Sequence, residues 1–371
     1  MSNLKKEIEP IFNKKYFGFQ EGARRLENAM GGIPDRIPVY AQIHEFTMSE
    51  LDIPATIFYT TPEIITPATL EITERYDVDV GFVDYDVYNI EAEGLGQKVV
   101  YFQDHVPDVD RRVPLITGPD DLGKIKTPDF DSAGRFTSII EIQTIYTNLT
   151  GLAPSLQFCA PFSLAANLRG IQNLIMDILT NPEFARGLFD AIVEEVLAPW
   201  ILYQRKIFPD VSNIAGADAM ASLPIVNLKM LDEWVVPYIL KLREICGPQV
   251  YVPNWVGERY LEDPQKMLAR KILVCPDFLE GQDPDVDALG PTFYKEYAEE
   301  RDISLILGAG AEFLAHATVD EISERVSEYV RVGGEDGRFA LYLCNLGATT
   351  PPENLRAAVE AAHSVTPKKV S

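Results

Sequence analysis

One cysteine of the chain stands where a parallel barrel would place a catalytic group. Cys344 ends the apolar run 339–344 and is followed by Asn345 and by a helix start at Thr350-Pro351-Pro352. A thiolate there would feel the positive end of that helix and would bind a soft or borderline metal such as zinc. The structural alternative is an ordinary small core residue. We expect Cys344 to be a metal ligand.

Other polar side chains also follow apolar runs of strand length. They are Gln42, His44 and Glu45 after the first run, Asp84 and Asp86 after the second, Asp218 after the fourth, Asn254, Trp255 and Glu258 after the fifth, and Glu280 and Asp283 after the sixth. We predict catalytic roles for His44, Asp84, Asp86 and Asp218. A buried carboxylate such as Asp218 needs a partner, which favours function. Structural alternatives are a satisfied histidine at His44 and turn caps at Asp84 and Asp86.

The elements that must position these side chains are short β-rich runs alternating with helical patterns, an order that favours a parallel sheet. The runs are 37–43, 78–83, 154–159, 211–215, 250–253, 272–279, 303–307 and 339–344. Most are apolar throughout, as strands are when helices cover one face and a packed interior fills the other. We therefore predict a single α/β domain, a (β/α)8 barrel over residues 36–371, after a helical lead-in over 1–35. Catalytic groups of such barrels project from the carboxyl ends of the strands.

Several helix starts carry clear signals. Asn181-Pro182 and Thr61-Pro62 each offer a cap residue before a proline at the first helical position. Thr318 and Glu321 form a capping box, and Gly333 and Gly334 favour a helix end. The proline- and aspartate-rich segment 89–131 is predicted as an excursion with a small hairpin at 91–102.

Composition excludes several classes of protein. Hydrophobic residues make up 46% of the 371 residues and the formal net charge is −23. A chain this acidic disfavours nucleic acid and membrane surfaces, and its charge serves either solubility alone or the docking of a partner protein. The four cysteines form no CxxC pair and are predicted to be reduced thiols. The first residues lack the apolar core of a signal peptide and no run of 18 apolar residues occurs, so we expect a cytoplasmic protein.

Several segments, in their order and spacing together, resemble the uroporphyrinogen decarboxylase superfamily, which includes the cobamide-dependent methyltransferases. The segments are 25–39, 91–96, 160–165, 217–218 with Ser222, 234–238, and 343–355, which begins Leu343-Cys344-Asn345. True decarboxylases resemble one another in an arginine-containing segment after the first strand, which grips substrate carboxylates. The matching segment 40–46 contains no arginine, so decarboxylation of uroporphyrinogen is disfavoured.

The methyltransferase branch of the family holds zinc with a His-x-Cys pair after one strand and a cysteine after the last. Cys344 matches the last position, but the stretch matching the pair, 253–257, has neither histidine nor cysteine. The resemblance therefore implies zinc only with other ligands beside Cys344. The candidates are Glu280 first, then Glu258, Asp218 and His44. One thiolate with carboxylates would suit an oxygen donor better than a thiol.

This difference makes the chain similar to the first methyltransferase of anaerobic O-demethylase systems. The resemblance implies transfer of methyl from an aryl methyl ether, such as guaiacol or vanillate, to the Co(I) of a cobalamin-type corrinoid on a partner protein. Zinc or a carboxylic acid would polarise the ether oxygen. The residues expected to bind the substrate, or else to pack the barrel rim, are Tyr40, Gln42, Phe46, Tyr85, Asn254 and Trp255. The alternatives are a decarboxylase of tetrapyrrole synthesis and a non-catalytic barrel that binds a corrinoid or its carrier protein.

Overall fold

The computed structural model describes residues 10–12, 14–334 and 337–365. The parallel strands lie in two arcs. One arc has the order β1-β9-β8-β7 and the other the order β4-β5-β6, while β2 and β3 form a separate antiparallel hairpin. The strands are β1 Val39–Ala41, β2 Val99–Val100, β3 Asp108–Val109, β4 Leu156–Cys159, β5 Ile214–Ala217, β6 Val250–Tyr251, β7 Phe278–Gln282, β8 Ser304–Ala309 and β9 Phe339–Leu343.

Helices surround both arcs. In chain order they are α1 Phe19–Met30, α2 His44–Glu50, α3 Ala55–Phe58, α4 Pro62–Arg75, α5 Ile90–Gly94, α6 Phe136–Thr150, α7 Pro161–Arg169, α8 Ile171–Thr180, α9 Pro182–Ala191, α10 Ala198–Ile207, α11 Leu228–Met230, α12 Val236–Cys246, α13 Gln265–Val274, α14 Asp285–Leu289, α15 Pro291–Glu299, α16 Ala311–His316, α17 Val319–Gly333 and α18 Pro352–Ser364. Shorter 3₁₀ segments are Pro119–Lys124, Ala219–Ala221 and Glu258–Tyr260. No helix among the described residues is both long and apolar enough to span a bilayer.

The predicted alternation of strands and helices is confirmed, with local corrections. The run 78–83 forms no strand, although Asp79 and Val80 both donate backbone hydrogen bonds to the Val39 carbonyl at 3.0 and 3.2 Å. Within the described residues no strand pair joins the two arcs, either between β1 and β4 or between β6 and β7. The run 272–279 is helical up to Val274, and its strand begins only at Phe278. The predicted hairpin at 91–102 starts instead with α5, and only Val99–Val100 pairs with β3.

The helix signals are largely confirmed. The Thr318–Glu321 capping box is present, and the Asn181 side chain accepts from the Phe184 backbone N–H. Thr61 makes no side-chain cap, although its helix does start at Pro62. Of the predicted lead-in over 1–35, helix α1 is seen, while residues 1–9 lie outside the described residues; the domain boundary at residue 35 stays a prediction.

Two π-helical turns, Ile192–Leu197 and Leu231–Val235, interrupt the helical layer. Each stands directly before a helix with proline as its second residue, Pro199 in α10 and Pro237 in α12. Proline has no N–H for the ordinary helical ladder, so the preceding turn widens to accommodate its ring.

Strand alternation decides which side chains reach the barrel interior. In β9, Phe339, Leu341 and Leu343 are fully buried in the outer hydrophobic layer against the helices. The intervening Tyr342 and the next residue, Cys344, therefore point to the other face, as the period of two requires. The same alternation in β7 turns Leu279 outward and Glu280 inward.

Candidate active site

The inner face of β5 is open to solvent. Ala215 is exposed and Ala217 half-buried, whereas the alternating Ile214 and Gly216 are buried, and the Phe158 ring occupies the space where a Gly216 side chain would be. Ala215 also pairs in register with Gln157 of β4, so these residues share the inner face. Small accessible side chains at this face leave room for a ligand in the barrel mouth.

Across the mouth, the Cys344 thiol lies over the backbone of β8. A side chain at Gly308 would overlap the Cys344 Sγ and crowd Gln282 and Tyr342, so only glycine leaves this thiol in place. Tyr342 stacks on Tyr40, with ring centroids 4.6 Å apart and an interplanar angle of 12°. Both rings are half-buried and present one flat aromatic wall to the interior.

Glu280 is the acid of this group. Its side chain interacts electrostatically with Tyr40, Tyr342 and Cys344, and burial raises its pKa. The Gln282 amide donates to Glu280 Oε1, and Oε2 accepts no hydrogen bond from the described residues. A neutral Glu280 therefore carries its proton on Oε2. We refer to Tyr40, Glu280, Tyr342 and Cys344 as the mouth cluster.

Gln42 connects the mouth cluster to Asp84 and His44. The Tyr342 hydroxyl donates to Gln42 Oε1 at 2.8 Å, and Gln42 Nε2 donates to Asp84 Oδ2. His44 Nε2 lies 3.7 Å from the same Asp84 oxygen, and His44 Nδ1 bonds to the Tyr59 hydroxyl. Burial raises the pKa of Asp84. The predicted Gln42, His44 and Asp84 are thus brought together, but both Asp84 oxygens already accept hydrogen bonds, since Oδ1 binds the Tyr85 N–H at 2.9 Å.

The donor set does not fit the zinc site that the resemblance implied. Burial and the neighbouring Glu280 and Asp283 carboxylates raise the pKa of the Cys344 thiol, which disfavours the thiolate. Over 10–12, 14–334 and 337–365, no group of three or more histidine, cysteine, aspartate or glutamate side chains is arranged to hold a metal ion. The predicted ligand Glu258 instead pairs with Lys271 at 2.6 Å, both side chains being almost wholly buried.

Asp218 lies on the opposite arc, directly after β5. It is fully buried; Oδ1 accepts the Ser163 N–H in the first turn of α7 at 2.9 Å, and Oδ2 accepts the Trp255 indole N–H at 3.4 Å. Burial raises the pKa of Asp218 to about 6. The Asp218 backbone N–H donates to Asn254 Oδ1 at 3.0 Å. Through these contacts Asp218 holds the first turn of α7, Asn254 and Trp255 together, which is a structural role.

Asp86, predicted as catalytic, lies away from the mouth cluster. Its two oxygens accept from Arg135 Nη1 and Nη2 at 2.7 and 2.6 Å, and Arg135 Nε also donates to Glu93 at 2.6 Å. The bidentate geometry fixes both carboxylate oxygens. The structure therefore gives Asp86 a role in holding the segment after residue 83 to the start of α6.

The aromatic residues at the mouth differ from those predicted. Phe46 is 1% exposed and packs edge-on against Tyr76 in the outer layer, and Trp255 is fully buried. Tyr85 lines a separate cavity of about 10 Å³ with Phe82 and Tyr146. Only Tyr40 of the predicted aromatic set belongs to the mouth wall. Tyr342 was missed, although its position two residues before Cys344 places it on the same strand face.

Glu91 is a second buried acid that sequence reasoning did not single out. It is fully buried in α5; Oε1 accepts the Cys159 N–H at 3.0 Å, and Oε2 has no hydrogen-bond partner among the described residues. Burial raises the pKa of Glu91 to about 8. The ordinary pKa of a glutamate is 4.5, so the unfolded chain releases this proton above pH 4.5. The folded protein keeps the proton on Glu91 until the pH approaches 8. Stability should fall as the pH rises from 4.5 towards 8.

We expect Glu91→Gln to remove this pH dependence. Between pH 6.5 and 8.5, wild type should lose about 2 kcal/mol of unfolding free energy relative to the variant, because the amide never ionises. Denaturant unfolding at both pH values measures the difference. Glu141→Gln, an exposed glutamate on α6, is the control and should follow wild type. Equal pH dependence of Glu91→Gln and wild type would contradict an acid held neutral by burial.

Parallel strands in two arcs, covering helices and inward-facing side chains define an α/β protein of the barrel type. The chain belongs to the uroporphyrinogen decarboxylase (URO-D) family, whose model matches residues 22–365. Methylated-thiol–coenzyme M methyltransferase of Methanosarcina mazei is 26% identical over 284 residues, which are 74% of this chain and 69% of that relative. The solved structure of a methyltransferase from Methanosarcina mazei has the same fold, with a TM-score of 0.73 and 19% identity over 91% of this chain and 97% of that one.

Proposed function

We propose that the protein is a methyltransferase that moves a methyl group from an aryl methyl ether to the Co(I) of a corrinoid carried by a partner protein. Family membership and similarity to a methyltransferase of methylated thiols support methyl transfer as the reaction class. The observation that carries the choice of donor is Glu280, an inward-facing acid beside the Tyr40–Tyr342 wall whose Oε2 is free for a ligand.

An ether needs help that a more acidic leaving group does not. The aryloxide is a poor leaving group unless the ether oxygen is protonated or coordinated in the transition state. A buried carboxyl with a raised pKa supplies the proton, and a stacked tyrosine pair holds a flat ring against it. The mouth cluster therefore suits an aryl ether better than a methylated thiol.

In this reaction the methyl–oxygen bond breaks and its electron pair stays on the oxygen, which takes the proton from Glu280 Oε2. The corrinoid of the partner protein, as the methyl acceptor, would supply the Co(I) electron pair for the new bond to the methyl carbon, so charge and atoms balance. Tyr40 and Tyr342 orient the ring, and the Gln282 amide stabilises the glutamate left behind. The donor set does not fit zinc, and no step passes through it.

Uroporphyrinogen decarboxylation is disfavoured by the charges around the mouth. Lys271 pairs with Glu258 at 2.6 Å and Arg259 with Asp285 at 2.7 Å. A substrate with many carboxylates would meet the acidic groups of the mouth while these cations are already neutralised. The segment 40–46 also contains no arginine that could bind a substrate carboxylate.

A matched pair of donors tests the proposal. With free cob(I)alamin as acceptor under strict anaerobiosis, we expect guaiacol to form methylcobalamin at least about tenfold faster than its analogue with sulfur in place of the ether oxygen. The loss of Co(I) absorbance follows the reaction. Vanillate should behave as guaiacol does. Faster transfer from the sulfur analogue, or turnover of uroporphyrinogen, would contradict the assignment.

A further inference from the structure

Tyr88 reaches into the mouth from the segment that follows residue 83. Its backbone carbonyl accepts the Asn167 amide at 2.7 Å, which fixes the main chain. Its hydroxyl oxygen extends to the loops after β5 and β6, where it meets Ala219 and Asn254. The side chain is half-buried. Tyr88 thus joins the segment after residue 83 to the loops after β5 and β6.

The Tyr88 oxygen already accepts two hydrogen bonds. The Ala219 N–H donates at 3.3 Å and Asn254 Nδ2 at 3.2 Å. The Asn254 amide cannot reverse this role, because its Oδ1 is held by the Asp218 N–H at 3.0 Å. With both acceptor positions in use, the phenol can offer a ligand only its O–H.

That O–H donates to no acceptor among the described residues. Burial raises the pKa of Tyr88, so the group keeps its proton and serves as a donor, not as a base. Ala219, whose N–H the phenol accepts, is small and exposed, and Ala217 two residues earlier is half-buried, so no bulky side chain of this loop covers the phenol. A half-buried phenol O–H with no acceptor among the described residues favours a ligand that carries one.

We propose that Tyr88 is a specificity-determining residue that donates a hydrogen bond to a second oxygen of the methyl donor, beside the ether that loses its methyl group. The ligand class is an aryl methyl ether with a neighbouring oxygen acceptor. The inference rests on the proposed function for the identity of the ligand as a methyl donor, whereas the hydrogen bond itself can be measured by binding alone.

A pair of ligands of the same shape tests the wild-type protein. Veratrole carries a second ether oxygen where ortho-ethylanisole carries a methylene group. We expect wild type to bind veratrole about tenfold more tightly in calorimetric titrations, the factor for one well-made hydrogen bond. Equal affinities, or no binding of either ligand, would overturn the inference without any variant.

Tyr88→Phe assigns the preference to the phenol. The variant keeps the ring and should bind both ligands with equal affinity, at the wild-type level for ortho-ethylanisole. Tyr203→Phe, whose hydroxyl bonds to Asp131 in an exposed position, is the control and should keep the tenfold preference. A preference that survives Tyr88→Phe in the folded variant would overturn the role of Tyr88.

The outcome is separable from that of the proposed function. A preference lost in Tyr88→Phe without methylcobalamin formation from any ether would support the donor site and overturn the reaction. Methyl transfer from guaiacol with a KM unchanged in Tyr88→Phe would support the reaction and overturn the donor site.

Discussion

Glu280→Gln is expected to lower the rate of methyl transfer from guaiacol about 100- to 10,000-fold, the contribution of a positioned general acid. The amide fills the same space and keeps a carbonyl oxygen for the Gln282 amide. It cannot release a proton to the departing oxygen. Because packing is preserved, binding of the ether should change little, so the loss should appear in kcat and not in KM. Single-turnover formation of methylcobalamin measures the effect.

Two further readouts separate proton donation from a general disturbance of the site. Wild type should lose activity as the pH rises through the raised pKa of Glu280, since the acid must be protonated, and the variant should lack this limb. Aryl ethers with electron-withdrawing groups release a stabilised phenolate, which can depart without a proton. Methyl transfer from these ethers should therefore be least affected by the substitution. Glu312→Gln, at a highly exposed position in α16, is the control. A uniform loss across leaving groups with an unchanged pH profile would contradict the role of Glu280.

The rule that catalytic groups follow barrel strands selected Glu280 and Cys344 as candidates; the structure places Glu280 within β7 and Cys344 directly after β9. Alternation along the strands suffices to place Tyr40, Glu280 and Cys344 on the inner face. Successive side chains of a strand point to opposite faces, so the orientation of one residue fixes that of all the others. The contacts between them were beyond the sequence. Gly308 admits the Cys344 thiol only because β8 and β9 pair with Gly308 opposite Tyr342.

Other predicted site residues are engaged by partners that lie far away along the chain. Trp255 carries the size and type of a ring-binding residue, but its indole turns inward to Asp218, 37 residues earlier. Glu258 was predicted as a metal ligand, but in the structure it pairs with Lys271 of α13. A strand end shows that a side chain is near the mouth, whereas the nearest opposite charge decides whether it remains available.

Arg135→Met should lower the free energy of unfolding by about 3–5 kcal/mol, the cost of leaving a buried charge without its partner. Asp86 is 3% exposed and would keep only the Asn89 amide at 3.3 Å. The variant also loses the hydrogen bond from Arg135 Nη1 to the Tyr59 carbonyl at 3.2 Å. Chemical denaturation measures the loss. Arg111→Met, which breaks an exposed pair with Asp108, should cost no more than about 1 kcal/mol.

Combining Arg135→Met with Asp86→Asn decides what Asp86 is for. If Asp86 serves the ion pair, the double variant should be more stable than Arg135→Met alone, because the more deeply buried of the two carboxylates that Arg135 binds is then neutral. Asp86→Asn alone should then lower stability while the folded fraction keeps methyl transfer within a few-fold of wild type. A catalytic Asp86 gives the opposite result, a large loss of rate in a protein of nearly unchanged stability. The bidentate contact with Arg135 favours the first outcome, since a carboxylate with both oxygens engaged has none to offer a substrate.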